Sequence, residues 1–397
     1  MIPEIHIKDY YYDLPEDRIA KYPLERRDAS KLIVYKDGTV SESVFRELPS
    51  YISEGSLMVF NDTKVVPARL HFHRASGAEI EVFCLEPVSP AEYNLAFASN
   101  RTCSWKCVIG NAKRWKDDVI QNDSIGSGLS AKLLQRDGRT GIVEFSWNSG
   151  DSFSQILEQC GQVPIPPYLN RETEQIDKER YQTLYAKIKG SVAAPTAGLH
   201  FTEEVLKAIR DNGVDIQNVC LHVGAGTFLP VKTDNVAEHP MHREPFSVSL
   251  SLLRKLRDSA GKTVAVGTTS VRTLESLYYV GVSCIEKGHP EDVGQWDPYT
   301  RDYPYSTGEA LDAIIQFLEK EGLESLTAGT RIIIVPGFTF RIVNRMVTNF
   351  HQPESTLILL ISAFVGGDWR TIYNFALSHG VRFLSYGDSS LLFRKTL

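Results

Sequence analysis

What this chain of 397 residues lacks narrows its chemistry before any motif is read. Cysteine is scarce: Cys84, Cys103, Cys107, Cys160, Cys220 and Cys284 form no CxxC pair and sit mostly in apolar, strand-like runs. That excludes a disulfide framework and a cysteine-rich zinc module. No apolar run reaches the length of a membrane span. The opening MIPEIHIKDYYYDLP has no basic-plus-apolar leader, so a soluble, cytoplasmic protein is expected. Walker, GxGxxG and GxSxG signatures are missing, which argues against P-loop, dinucleotide and nucleophile-elbow chemistry. A formal charge of −6 excludes a uniformly basic coat but leaves room for a local nucleic-acid patch. Internal repeats and low-complexity stretches are absent too.

What is present is a change of texture along the chain. With 42% hydrophobic residues the chain can bury two cores. Lys31-Leu32-Ile33-Val34-Tyr35 followed by Asp37-Gly38 reads as a hairpin. Leu57 to Phe60 reads as an apolar strand ending in the polar run Asn61-Asp62-Thr63-Lys64. Residues 65–149 show short strands with turn signals every eight to twelve residues, the pattern of a small all-β barrel. After Gly150 helices are predicted near 151–160, 174–187, 202–211, 249–260 and 308–320, with strands at 217–223, 263–267, 331–335 and 356–362. Such alternation predicts an α/β main domain whose mixed sheet is covered by helices. Its parts would be 1–64 and 150–397, with the inserted barrel at 65–149. The aromatic, turn-rich stretch 282–306 reads as an elaborated crossover or flap.

Candidate chemistry gathers in turns at strand ends, where open α/β sheets bind ligands. Residues 190–230 hold two of them. Pro195 to His200 leads into the helix start at Thr202, and His222 leads into Gly224-Ala225-Gly226-Thr227. Gly267-Thr268-Thr269-Ser270-Val271-Arg272 is a strand, a hydroxyl-rich turn and a helix start. Arg272 is suited to a ligand carboxylate, or to an ordinary surface pair with Glu275. His239-Pro240-Met241-His242-Arg243-Glu244 has no helical zinc spacing, so it reads as ligand-binding or proton-handling, with no metal site expected. Arg101, Lys106, Lys113, Arg114 and Lys116 interleave with Trp105 and Trp115. That is a candidate RNA face, or a strand edge guarded by lysine.

Taken in order, YDLP…YPLERRDASKLIV (12–34), VFNDTKVVPARL (59–70), GQVPIPPYLNR (161–171), PTAGLHFT (195–202), HVGAGTFLPV (222–231), HPMHRE (239–244), VGTTSVRTLES (266–276), TNFHQPEST (348–356) and LSYGD (384–388) resemble the S-adenosylmethionine:tRNA ribosyltransferase-isomerase family of queuosine biosynthesis. The likeness spans nearly the whole chain. It implies an α/β domain with an inserted barrel, no permanently bound cofactor, and S-adenosylmethionine as ribosyl donor. The implied acceptor is the preQ1 (7-aminomethyl-7-deazaguanine) base at the tRNA wobble position, and the implied products are epoxyqueuosine-tRNA, adenine and methionine. A monomer is expected.

That chemistry needs a base for the proton next to the sulfonium and an acid for the departing adenine. His200, His222 and His242 are the proton-transfer candidates, with Glu244 as base or acceptor. Thr196, Thr202, Gly224, Gly226, Thr227, Thr268, Thr269, Ser270, Arg272, Asn349, His351 and Ser355 would line the substrate pocket. Two departures from the family pattern, a longer 278–331 stretch and the altered barrel runs Leu70 to Arg74 and Cys107 to Gly110, keep two alternatives open. One is a paralogue with a changed acceptor; the other is a catalytically silent RNA-binding protein.

Overall fold

The computed structural model describes residues 2–116, 118–122, 128–222, 233–259 and 261–395. Gly224, Gly226 and Thr227 lie outside the described residues. The strands are β1 (Lys31–Lys36), β2 (Thr39–Val44), β3 (Leu57–Asn61), β4 (Thr63–Val65), β5 (Arg69–His73), β6 (Glu79–Ser89), β7 (Thr102–Ile109), β8 (Ile120–Gln121), β9 (Ser130–Asp137), β10 (Thr140–Ser146), β11 (Gly161–Gln162), β12 (Ile188–Ser191), β13 (Asp215–Leu221), β14 (Glu244–Ser249), β15 (Thr263–Val266), β16 (Ser325–Thr330), β17 (Arg345–Asn349) and β18 (Ser389–Phe393).

Nine of them form one mixed sheet in the order β16-β14-β13-β3-β15-β17-β18-β1-β2. Its centre, β13-β3-β15-β17, is parallel. β3 and β15 are buried along their whole length and apolar over Leu57–Phe60 and Val264–Val266, because both faces are covered, while β13 becomes apolar and buried only at Val219–Leu221. Leu57, Val59, Ala265 and Met346 face one core with helices Leu250–Asp258, Thr268–Lys287, Thr307–Glu321, Thr356–Phe364 and Trp369–Ser378. Met58, Phe60, Val264 and Val347 face the other with helix Glu203–Asp211.

The second sheet runs β11-β5-β6-β7-β10-β9-β8 and closes through β5–β8 into an antiparallel barrel. Strict alternation drives Phe72, Trp105, Phe145 and Trp147 inside, where Trp115 and helix Phe153–Cys160 complete the core. The polypeptide returns through that helix and β11, which pairs with β5. Among the described residues, no helix is long and apolar enough to cross a membrane.

Several local expectations change. The run 356–362 is helix, not strand. Leu357 to Ile361 are all apolar, so no period separates the two, and the N-cap bond from Ile358 N–H to Ser355 Oγ decides it. The predicted helix 174–187 shrinks to Asp177–Arg180. Asp177 is fully buried against Arg171 and the Tyr386 hydroxyl, and Lys187 and Ile188 donate their N–H groups to the Asp62 carbonyl. The strand expected at 331–335 lies earlier, at Ser325–Thr330. Glu275, read as a surface partner of Arg272, is fully buried and accepts the N–H groups of Arg341, Ile342 and Val343 at 2.8, 3.1 and 2.8 Å.

Candidate active site

Strand direction decides which residues meet. β3, β13, β15 and β17 end at one edge of the sheet, so they present Asp62, His222, Thr268 and Phe350 there. β14 and β18 run the opposite way and offer their beginnings, Glu244 and Ser389, to the same edge. β1 is parallel to β18, which brings in Ser30. Stretches far apart in the chain thus converge on the carboxyl end of a parallel sheet.

His200 sits at the end of a single 3-10 turn, Thr196–His200, and is buried. Its Nδ1 is 2.9 Å from Ser30 Oγ and its Nε2 is 3.0 Å from Asn349 Oδ1. The Asn349 amide donates to the carbonyls of Leu384 and Ser385, so Oδ1 is the face turned to histidine. Nε2 therefore carries the proton and Nδ1 accepts from the Ser30 hydroxyl. Burial lowers the His200 pKa to about 4, against the Asn349 bond, so the ring is neutral at physiological pH. His351, bonded through Nε2 to Thr348 Oγ1 at 3.1 Å, is likewise lowered to about 4 by burial. In front of His200 lies a small cleft of about 20 Å³ lined by Ser30, Arg27, Arg180, Arg382 and Tyr386. Arg27 donates to the carbonyls of Gln182, Leu199 and Glu179, and Arg180 to those of Leu24 and Glu25. Carbonyl dipoles, not carboxylates, thus hold these two guanidinium charges among the described residues.

A second cluster surrounds Glu244. Its carboxylate is buried and accepts from Arg272 Nη1, while Arg272 Nε donates to the Ile332 carbonyl at 3.1 Å. Arg272 Nη2 has no partner among the described residues. The expected ligand-binding arginine is therefore already half-committed to a protein carboxylate. His222 donates its backbone N–H to Pro245, and its ring stacks on Tyr93 of the barrel at 4.5 Å with planes 4° apart. A Cβ at Gly190 would lie 2.5 Å from His222 Nδ1, so only glycine allows this approach. Burial lowers the His222 pKa.

Asp62 was not singled out by sequence reasoning beyond its polar run, yet it is buried at the end of β3 with Oδ1 unpartnered among the described residues. Burial raises its pKa to about 6, within reach of neutral-pH proton transfer. Ser30, Arg27, Arg180 and Arg382 were also missed. Only the fold brings them from distant stretches to one histidine.

Other expected site residues take different roles. The Thr202 and Ser355 hydroxyls accept the N–H groups of Val205 and Ile358 at the start of their helices, and Ser270 Oγ donates to the Val266 carbonyl. These hydroxyls are committed to the backbone. Thr268 is buried at the start of its helix, and Thr269 Oγ1 is buried without a partner among the described residues. Thr196 is half-buried in the turn before His200. His242 is exposed, outside the buried cluster. Trp105 and Trp115 are 1% exposed in the barrel core, so neither can stack on a base. Lys106 pairs with Glu86 at 2.8 Å, leaving Arg101, Lys113, Arg114 and Lys116 as the exposed basic residues of that face. No three His, Cys, Asp or Glu side chains among the described residues converge as metal ligands.

A neutral buried histidine, a carboxyl titrating near neutrality and a buried carboxylate–guanidinium pair at one sheet edge define an α/β enzyme equipped for proton transfer and group transfer. The comparisons with known proteins narrow that class. The family described as Queuosine biosynthesis protein matches residues 7–392, and the chain belongs to that family. An S-adenosylmethionine:tRNA ribosyltransferase-isomerase of Trichlorobacter lovleyi is 37% identical over 393 residues, covering 97% of this chain and 99% of its own. One of Legionella pneumophila is 38% identical over 391 residues, with the same coverage. A crystal structure titled S-adenosylmethionine tRNA ribosyltransferase, from Thermotoga maritima, is 28% identical and covers 97% of this chain and 100% of that one, with a TM-score of 0.47.

Proposed function

We propose that the chain transfers the ribosyl part of S-adenosylmethionine to the preQ1 base at the tRNA wobble position and isomerises it. The products are epoxyqueuosine-tRNA, adenine and methionine. The enzyme would act in the cytoplasm as a monomer, with no permanently bound cofactor. The α/β domain of 1–64 and 150–397 would carry the reaction, and the barrel of 65–149 would meet the RNA.

The observation that supports this most is the gathering of Ser30, Asp62, His200, Glu244, Arg272 and Asn349 at one sheet edge in a chain of this family. The reaction consumes a proton at the leaving adenine and removes one beside the sulfonium. Asp62, poised near neutrality, and neutral His200 with its Ser30 hydrogen bond are suited to those transfers. His222 and Glu244 line the barrel side. The Arg27–Arg180–Arg382 cleft is suited to an anionic part of a substrate. Arg27 and Arg180 are half-buried and oriented by carbonyls, while Arg382 is shared with Asp388 at 3.0 Å.

The test is incubation with S-adenosylmethionine and preQ1-bearing tRNA, read by adenine release and nucleoside mass spectrometry. Epoxyqueuosine is expected, and its formation should fall at least a hundredfold in His200→Ala and Asp62→Asn. Turnover on another RNA but not on preQ1-tRNA would move the reading to a changed acceptor. Near-normal turnover in both variants would sink the assignment.

A further inference from the structure

We propose that the crossover stretch 289–297 is a clamp that positions the Glu244–Arg272 pair, with Asp292 and Gln295 as its positioning residues. The inference rests on the reading that this pair belongs to the reaction site. Two chain segments must be held for the pair to form. Residues 239–243 lead into Glu244, and residues 329–333 carry the Ile332 carbonyl that receives Arg272 Nε.

The crossover holds both. Toward the first, Gln295 Oε1 accepts the Met241 N–H at 2.9 Å, and Gln295 Nε2 donates to the His239 carbonyl at 2.7 Å. Arg243 reaches Asp292 with two bonds, Nε to Oδ2 at 2.5 Å and Nη2 to Oδ1 at 3.0 Å. Toward the second, Asp292 Oδ1 accepts the Gly329 N–H at 2.6 Å, and Val293 exchanges backbone bonds with Gly329 and Arg331. Ile333 N–H donates to the Gln295 carbonyl, and the Tyr299 hydroxyl lies between the Ile333 carbonyl and the Val335 N–H. The β14–β16 ladder already sets Glu244 opposite Thr330; beyond the end of that ladder, Asp292 braces residues 239–243 against Gly329 and the Gln295 amide fixes Met241 and His239.

The geometry leaves little play. A Cβ at Gly329 would lie 2.5 Å from Arg243 Cζ, so the guanidinium packs directly on the backbone of β16. The Arg243–Asp292 pair is about 40% exposed on each side, 43% and 41%, and an ion pair so placed adds little stability by itself. Its value is directional: a bidentate contact sets orientation as well as distance. The Arg243 bonds also hold the Asp292 carboxyl below the usual carboxylate range, so the contact persists through neutral pH. The aromatic side chains of the crossover turn inward. Tyr299 is buried, and Trp296, Tyr303 and Tyr305 pack half-buried against the main core.

The experiment compares wild type, Asp292→Ala/Gln295→Ala, the conservative Asp292→Asn, Glu244→Gln, and the double-alanine change combined with Glu244→Gln. Hydrogen exchange at residues 241–244 and adenine-release kinetics are both read. The double-alanine variant should exchange there at least tenfold faster. Its kcat should fall roughly ten- to a hundredfold while KM for S-adenosylmethionine moves less than about threefold, the signature of misplacement. Asp292→Asn should lie between it and wild type. In the Glu244→Gln background the kcat loss should vanish, because residues acting through one group are not additive. Unchanged exchange overturns the clamp. So does a kcat loss that is fully additive with Glu244→Gln, which would mark ordinary destabilisation. If Glu244→Gln turns over normally while the exchange effect is present, the reaction-site reading of Glu244 is what fails, and with it the clamp's catalytic purpose.

Discussion

The barrel and the main sheet bury opposite things. Inside the barrel are Trp105, Trp115, Trp147, Phe72, Phe145 and Phe153, while its basic residues stay at the surface. At the strand ends of the main sheet, Ser30, Asp62, His200, Glu244, Asn349 and His351 are buried instead. Burying an aromatic ring repays itself in apolar area, whereas burying a carboxylate or imidazole costs free energy unless each polar atom is met. A chain that accepts the second cost at several positions along one edge makes that edge the candidate for its chemistry. The barrel, built by the first rule, is a scaffold with a charged exterior.

That contrast can be broken in graded steps. The largest effect is expected from Arg272→Ala, which strands a buried Glu244 carboxylate. Chemical denaturation should show a loss of about 3–5 kcal/mol, together with loss of adenine release. Trp105→Ala in the barrel should cost stability on a similar scale, about 3–5 kcal/mol, through a cavity. Its effect on adenine release should follow the unfolded fraction alone.

The pH dependence separates the buried groups by sign. His200 and His351 titrate at about 4 when folded, against an ordinary histidine value of 6.5. The folded chain therefore holds fewer protons than the unfolded one between those values. Stability should fall as pH is lowered through this window, by about 3 kcal/mol for each histidine, and His200→Gln should remove one share. Asp62 behaves oppositely, because its raised pKa of about 6 makes the folded chain hold more protons between about 4 and 6. Asp62→Asn should therefore raise stability at pH 7 by up to about 3 kcal/mol while slowing turnover. A destabilised Asp62→Asn protein in thermal melts at pH 7 would contradict the burial argument.

The smallest effects belong to the barrel surface. Replacing Arg101, Lys113, Arg114 and Lys116 by alanine should leave stability within about 0.5 kcal/mol per site. The logarithmic salt slope of tRNA binding should drop by about one for each side chain that no longer neutralises a phosphate. An unchanged slope would remove this face from the RNA interface.

How much was legible beforehand differs between the same two regions. Turn spacing and period-two alternation announced the barrel, yet read as an RNA face its two tryptophans pointed the wrong way. The basic residues around them drew attention to composition, while strand parity sent Trp105 inward. In the main sheet the strand-end turns were visible as motifs, and His200, Glu244, Arg272 and Asn349 do lie at the strand ends. Their pairings were not visible, and Ser30 was missed altogether. Ser30 is 170 residues from His200, and Asn349 is 149 residues from it on the other side.

By itself, then, the sequence determined the local part: strand and helix alternation, the caps at Thr202 and Ser355, the barrel's turns and the ordered motifs of the family. These depend on neighbours within a few residues, where hydrophobic period and hydrogen-bonding side chains act directly. The tertiary structure alone decided that Glu275 serves the 341–343 backbone and that Asp62 lies buried near neutrality. It also decided that the crossover ties residues 239–243 to residues 329–333. Each of those outcomes depends on what a side chain meets across the sheet, and burial and strand direction set that, not the spacing of residues along the chain.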